Sequence, residues 1–331
     1  MTIRPIVLVV ALSAALGACA TTATAPEATP APVAETAVAQ PAAPVATPAP
    51  VAGTSRGSTG RADDQLYALA WMQSSNEYQA IVAGTYAQAK AQLVGLVSQR
   101  ALGGALAQTS TPTIPTTGRN ALVPPERVHD APDEPLAIVV DVDETVLDNT
   151  PYQATLVLED KVYDDTSWDA WCNLRAAKAL PGAVEFAQFA AHNGITMFYV
   201  TNRKSHLRDA TADNLREQGF PVADDNSNVM PRDDARGWTK DKGSRRSLID
   251  EKYRVVMMLG DNLGDFLDGV YADNPTRTRI AAPAQAWWGE RWFMLPNPDY
   301  GSWVDAVTKY CRDPAQASAP RECMKGWLRT P

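Results

Sequence analysis

Two short apolar runs, each ending in acids, limit what this chain can fold into more than any other feature. Leu136–Val140 reads LAIVV and is followed at once by Asp141-Val142-Asp143; Arg254 to Leu259 reads RVVMML and leads into Gly260-Asp261, with Asp265 close behind. Runs this short and this poor in polar alternation suit strands buried on both faces, the condition of a central strand in a parallel sheet. From Leu136 onward the pattern alternates strand and helix, which implies parallel strands joined by right-handed crossovers and an α/β fold class. The spacing predicts a helix from Pro181-Gly182 through Ala191, stopped by Gly194, and then a strand over Ile195–Val200. It further predicts a helix capped by Ser205 and running to Gln218 with Gly219 as its stop, a helix containing Leu248, and a last short strand over Trp292–Leu295.

In an open parallel sheet the ligand crevice lies at the carboxyl ends of the strands. Side chains alternate along a strand, so Asp141 and Asp143 start on the same side, where paired acids repel unless a cation or a proton separates them. A lone Asp-x-Asp is more often an acidic turn than a site. A second acid-bearing loop, Asp261 to Asp265, at the end of another buried strand favours one shared site over two accidental turns.

With 331 residues, 45% of them apolar, the chain has room for one sizeable core. A net charge of −8 argues against a nucleic-acid polymer as partner. It does not argue against a phosphate substrate, because a metal and a few local cations can reverse the potential inside a cleft. Near the amino terminus, Arg4 precedes an apolar run from Ile6 to Leu16, too short to span a bilayer and fitting a signal-peptide core. Residues from Ala20 to about Gly60 are mostly Ala, Pro, Thr and Val, which cannot bury a core and read as a disordered tether. Order is expected from residue 62, where Asp63 and Asp64 can cap a helix through Leu66, Leu69 and Ala70; a second helical pattern runs from about Ile81 to Leu102, and Thr109 to Glu126 reads as a loop. The N-terminal helices and that loop occupy 62–130. The long aromatic-rich stretch between the first two core strands, 148–180, reads as a lid or cap. His129, His192 and His206 are scattered and no Cys-x-x-Cys pair exists, so zinc is not indicated. With Cys19 of the amino-terminal segment set aside, Cys311 and Cys323 are close enough to staple the carboxyl-terminal tail, which leaves Cys172 free and buried.

Leu16-Gly17-Ala18-Cys19 resembles the lipobox of bacterial lipoproteins. That resemblance implies removal of a signal peptide, 1–18, lipidation of Cys19, and a membrane-anchored tether over 19–61 ahead of a folded domain over 62–331. Ala20 is not the aspartate that favours inner-membrane retention, so the expected place is the outer membrane, facing periplasm or cell surface.

IVVDVDETVLDNTPYQ, from Ile138 to Gln153, and VMMLGDNLGDF, from Val256 to Phe266, join Thr201-Asn202-Arg203 after the second core strand and Lys242 in TKDKGSRR. The set resembles the haloacid dehalogenase superfamily and, more closely, the bacterial class C nonspecific acid phosphatases, often outer-membrane lipoproteins with 5′-nucleotidase activity. The resemblance spans roughly Asp63 to Tyr310. It implies a Rossmann-like parallel sheet flanked by helices, with a small, mainly helical cap. It also implies Mg²⁺-dependent hydrolysis of phosphate monoesters, nucleoside 5′-monophosphates among them, through an aspartyl-phosphate. Chemistry accounts for the residue types: a phosphate monoester resists an anionic nucleophile until a cation neutralises both. Asp141 is the expected nucleophile; Asp141 and Asp261 through carboxylates, and Asp143 through its carbonyl, are the expected Mg²⁺ ligands, with Asp265 behind them orienting waters or Lys242. Asp143 is expected to act as general acid and then general base, giving turnover that favours mildly acidic pH. Thr201 and Lys242 are expected on the phosphoryl oxygens, with Lys240 as the alternative lysine. Asn202 and Arg203 are candidate substrate contacts, Arg203 serving either phosphate or a neighbouring acid. Trp168, Trp171 and Tyr300, the last in PNPDYGSW, are candidates to clamp the leaving group, although the two tryptophans stand at helical spacing and can equally pack the cap.

Two rivals stand beside this reading. A phosphoacceptor receiver domain would not want an acid-base residue beside its aspartyl-phosphate. A noncatalytic surface lipoprotein binding haem or a nucleoside is not required by any residue. Nothing in the sequence opposes a homo-oligomer.

Overall fold

The computed structural model describes residues 61–101, 121–122, 134–316 and 318–331. The signal segment, Cys19 and the tether lie outside the described residues, as does nearly all of the loop read over Thr109–Glu126. Among the described residues seven strands follow one another as β1 (Leu136–Val140), β2 (Leu147–Asp148), β3 (Lys178–Ala179), β4 (Thr196–Lys204), β5 (Val229–Arg232), β6 (Arg254–Gly260) and β7 (Trp292–Met294). The helices that matter below are α1 (Arg61–Ser74), α2 (Asn76–Ala101), α3 (Thr150–Leu158), α4 (Asp165–Leu174), α5 (Ala183–His192), α6 (Arg208–Glu217) and α7 (Gly243–Asp250).

Five strands form an all-parallel sheet in the order β5-β4-β1-β6-β7. Every residue of β1 and β6 is buried, which is why both read as unbroken apolar runs. Period-two alternation sorts β1 between two cores: Leu136, Ile138 and Val140 pack with Met72, Tyr86, Phe186 and Leu215 from α1, α2, α5 and α6. Ala137 and Val139 pack on the opposite face with Ile249 of α7, Phe266 and Trp292. The result is a three-layer sandwich, helices on both faces of the sheet. From β1 the chain moves outward to β4 and β5, then returns to the other side for β6 and β7, so the strand order reverses between β1 and β6. Asp141 and Asp261 sit at the ends of those two strands, the position at which open α/β sheets place their ligand crevice.

The structure departs from the sequence reading in instructive places. β4 continues to Lys204, so Thr201, Asn202 and Arg203 belong to the strand and not to a loop beyond it. β5 was not anticipated, because Pro231 interrupts a four-residue stretch; the strand lies at the sheet edge, where a missing N–H is tolerated. Ser205 opens a single 3₁₀ turn, Ser205–Leu207, with no side-chain cap, and α6 starts only at Arg208. Helix α1 begins at Arg61, which puts Asp63 and Asp64 inside its first turn instead of at its cap. Helix α2 begins at Asn76, earlier than the pattern from Ile81 suggested.

The segment between β1 and β4 carries the two helices α3 and α4, and the short antiparallel pair β2–β3 ties its ends together. Asp164 caps α4 by accepting from the N–H groups of Thr166 and Ser167, and Arg175, at φ 55°, ends it. Cys311 and Cys323 are joined by a disulfide, and Cys172 is free and buried in α4, its thiol pushed up to about 12 by burial. Among the described residues no helix is long and apolar enough to cross a membrane.

Candidate active site

Asp141 begins where β1 ends, and its N–H still donates to the carbonyl of Leu259 on β6 at 3.1 Å. The chain then turns sharply: Val146 and Leu147 N–H both donate to the Val142 carbonyl, and Glu144 adopts φ 54° to make the turn. A left-handed backbone at a non-glycine residue is strained, and here it holds the acidic loop over the end of β1. Glu144 is buried, with Oε1 accepting from Asn149 N–H at 2.7 Å and Oε2 without a hydrogen-bond partner among the described residues. Burial first, then the charges of Asp143 and Asp261, push its carboxyl well above the usual range.

From the other side, Asp261 follows β6 directly. Its Oδ1 accepts from Thr145 Oγ1 at 3.0 Å and its Oδ2 from Asn297 Nδ2 at 2.8 Å. Asp265 folds back under the strand end, Oδ2 accepting from Asn262 N–H at 2.8 Å. Gly260 makes this possible, since a Cβ there would collide with the Asp265 carboxylate. One carboxylate oxygen from each of Asp141, Asp261 and Asp265 lies within 4.8 Å of the others.

Lys242, buried at the N-terminal end of α7, is the counter-charge. Its Nζ lies 2.6 Å from Asp141 Oδ1 and 2.7 Å from Asp265 Oδ1. Lys240, the alternative, instead places its Nζ 5.6 Å from the centre of the Tyr271 ring. One ammonium does not balance three clustered carboxylates. Burial, with the neighbouring Asp265 and Asp143, outweighs Lys242 and pushes the Asp141 carboxyl up; burial, Asp265 and Asp141 hold Asp261 well above its ordinary value. Both shifts come first from burial and then from repulsion between the carboxylates, and a bound cation would relieve the second. The donors are all carboxylate oxygens, the hard set that an ion such as Mg²⁺ takes. The residues therefore fit a divalent cation held by Asp141 and Asp261, and an ion there would supply the charge the cluster lacks.

Asp143 points to a different set of partners. Its Oδ1 receives Arg203 Nε at 2.9 Å, Arg203 Nη2 at 2.8 Å and Asn149 Nδ2 at 2.9 Å; its Oδ2 receives Thr201 Oγ1 at 3.3 Å. Arg203, read as a contact for either phosphate or an acid, is thus committed to the acid and is fully enclosed by protein, with Nη1 on Thr211 Oγ1. Asn202 donates to the Lys240 carbonyl and accepts from Arg245, whose buried guanidinium also holds the carbonyls of Thr201 and Thr239. On the cap, Trp168 packs against Tyr152 and lies 5.6 Å from the Arg203 guanidinium, whereas Trp171 donates its indole N–H to Asn149 Oδ1 at 2.8 Å. Tyr300 stands on the loop whose Asn297 binds Asp261, its N–H donating to Asn297 Oδ1 at 3.2 Å.

Thr145, Asn149, Asn297 and Arg245 escaped the sequence reading. All four lie inside or beside motifs that drew attention for their charges. The three neutral side chains carry no charge pattern or periodicity, so only the fold reveals Thr145, Asn149 and Asn297 as the groups that orient the acids, and Arg245 as the one that fixes Thr201 and Asn202.

Beside Tyr300, Asp299 is buried, with Oδ1 accepting from Gln65 of α1 at 3.0 Å and Oδ2 without a hydrogen-bond partner among the described residues. Burial raises its carboxyl from 3.8 to about 6. The folded state thus binds the proton more tightly than the unfolded chain, and stability present below the ordinary value is lost as pH rises from 3.8 to about 6. Replacing Asp299 by Asn is expected to stabilise the protein by roughly 1–3 kcal/mol near neutral pH and to change little near pH 4, as read by denaturant unfolding at the two pH values.

The comparisons with known proteins agree with this geometry. The profile of the HAD superfamily, subfamily IIIB (Acid phosphatase), matches residues 113–303. The chain is similar to the class C acid phosphatase of Bacillus anthracis, with a TM-score of 0.64 at 29% identity over 82% of this chain and 98% of that one. The same enzyme with tungstate bound gives a TM-score of 0.63 at 29% identity, over 81% and 98% of the two chains. Acid phosphatase 1 of Solanum lycopersicum is 30% identical over 49% of this chain and 57% of its own length, and the stem 28 kDa glycoprotein of Glycine max is 25% identical over 49% and 58%. The match therefore spans somewhat more than half the length of these plant relatives. With a parallel sheet that brings Asp141, Lys242, Asp261 and Asp265 to one crevice and a profile match across more than half its length, the chain belongs to subfamily IIIB of the HAD superfamily, the acid phosphatase subfamily.

Proposed function

We propose that this protein is a Mg²⁺-dependent acid phosphatase that hydrolyses phosphate monoesters through a phosphoryl group carried on Asp141. The observation that carries this reading is the meeting of Asp141 with Asp261, Asp265 and Lys242 at the reversal of strand order. The Bacillus anthracis relative with tungstate bound adds support, since tungstate is a tetrahedral oxyanion like phosphate. In the first half-reaction an Asp141 carboxylate oxygen bonds to phosphorus as the ester P–O bond breaks, and the proton on Asp143 passes to the departing alkoxide. In the second, Asp143 takes a proton from water, the water oxygen bonds to phosphorus, and the P–O bond to Asp141 breaks. The bound cation would neutralise the phosphate and its nucleophile. Thr201 and Lys242 would hold phosphoryl oxygens, and Lys242 keeps Asp141 oriented meanwhile.

Nucleoside 5′-monophosphates are the substrates we propose, with Tyr300 and Trp168 offering flat apolar surface to a base. Lipid on Cys19 would anchor the enzyme to the outer membrane, and the residues that follow would let it stand off the surface. Chelation tests the reading: hydrolysis of nucleoside monophosphates and of p-nitrophenyl phosphate is expected to vanish in EDTA and to return with added Mg²⁺. Turnover that persists in chelator would overturn it.

A further inference from the structure

Three donors converge on one oxygen of Asp143, and two of the groups that hold it in place reach the cap. Arg203 Nε and Nη2 and Asn149 Nδ2 all lie within 2.9 Å of Oδ1. An oxygen so occupied cannot face a leaving group, whereas among the described residues Oδ2 has only the longer contact from Thr201 at 3.3 Å. The carboxylate is thereby held by one oxygen and presents the other.

The holding frame does not end in the core. Asn149 is itself oriented by Trp171 of α4, whose indole N–H donates to Asn149 Oδ1 at 2.8 Å, with Arg203 Nη2 on the same oxygen at 3.2 Å. That bond also settles the amide's orientation, since an indole N–H can meet only the oxygen, which leaves the NH₂ to point at Asp143. Trp168, one helical turn earlier, lies against the guanidinium face of Arg203. Helix α4 is in turn joined to the end of β4 by Lys204 to Asp165 at 2.7 Å and to the 3₁₀ turn after it by His206 to Asp169 at 2.7 Å. We infer that Trp171, acting through Asn149, and Arg203 are positioning residues for Asp143, so that the seating of cap helix α4 sets where the proton-transferring oxygen stands.

This inference rests on the assignment of Asp143 as the general acid, and it differs from a stacking role for Trp171 in a way kinetics can read. Proton donation matters most when the departing alcohol is a poor leaving group. A positioning defect should therefore hurt a simple alkyl phosphate far more than p-nitrophenyl phosphate. A stacking defect should spare the alkyl phosphate, which has no ring to stack, and raise KM for nucleotides.

The test is Trp171→Phe in the full chain, which keeps a ring and deletes the N–H donor. With an alkyl phosphate kcat/KM is expected to fall about tenfold, and with p-nitrophenyl phosphate by no more than about twofold. Asn149→Ala is expected to reproduce the pattern, and adding Trp171→Phe to it should cost nothing further, because the relay is already cut. Equal losses on both esters, a loss confined to nucleotides, or additive losses in the double variant would overturn the inference. Asp143→Asn separates the two levels. If it steepens the dependence on leaving group while Trp171→Phe and Asn149→Ala do not, the positioning role fails and the acid assignment survives. If Asp143→Asn shows no such steepening, the acid assignment itself fails.

Discussion

Asp141→Asn is expected to lower phosphate-ester turnover by about four orders of magnitude or more, because removal of a covalent nucleophile forfeits the two-step route entirely. The substitution is nearly isosteric and deletes a negative charge from an over-acidic cluster, so the fold should be retained. Lys242 keeps Asp265 as its partner at 2.7 Å, so the unfolding midpoint should change little. Steady-state assay with circular dichroism checks both parts. Turnover within tenfold of wild type would mean that another group attacks phosphorus.

Lys242→Met carries the second large effect, and it strikes stability as well as rate. Lys242 is the cation lying between Asp141 and Asp265, and removing one member of a buried ion pair typically costs about 3–5 kcal/mol because the remaining charge is left uncompensated. Methionine fills most of the same volume, so the loss reads out charge and not a cavity. Activity should fall below detection, and added Mg²⁺ should raise the unfolding midpoint of the variant more than that of the wild type, since a divalent ion can replace part of the missing charge. An unfolding midpoint equal to wild type in the absence of metal would show that the pair contributes nothing.

What the sequence made legible, and what it hid, divides along a physical line. β1 and β6 could be read from five to seven consecutive buried residues, because burial on both faces removes polar alternation. Their acidic ends marked the crevice for the same reason: a carboxylate directly after a buried strand has no packing role to play. β2, β3 and β5 left no such trace, being two to four residues long and, in β5, interrupted by Pro231. The residues that orient the acids were hidden for a different reason. Arg203 lies 60 residues from Asp143 in sequence and Asn297 lies 36 from Asp261, and such pairings come from strand order and not from local pattern. Spacing alone left Arg203 undecided between phosphate and acid; β4 had to extend to Lys204 to turn its guanidinium onto Asp143. The two tryptophans at helical spacing were likewise ambiguous until α4 was seen to set one against Arg203 and the other on Asn149.

The proposed function requires Asp141 to accept the phosphoryl group. Acid quenching of the protein during turnover of a ³²P-labelled monoester, followed by peptide mapping, reads this out. An acid-stable label is expected on the peptide that spans Asp141 and is expected to be absent from Asp141→Asn; a label on any other residue, or one that survives in that variant, would show that Asp141 is not the nucleophile.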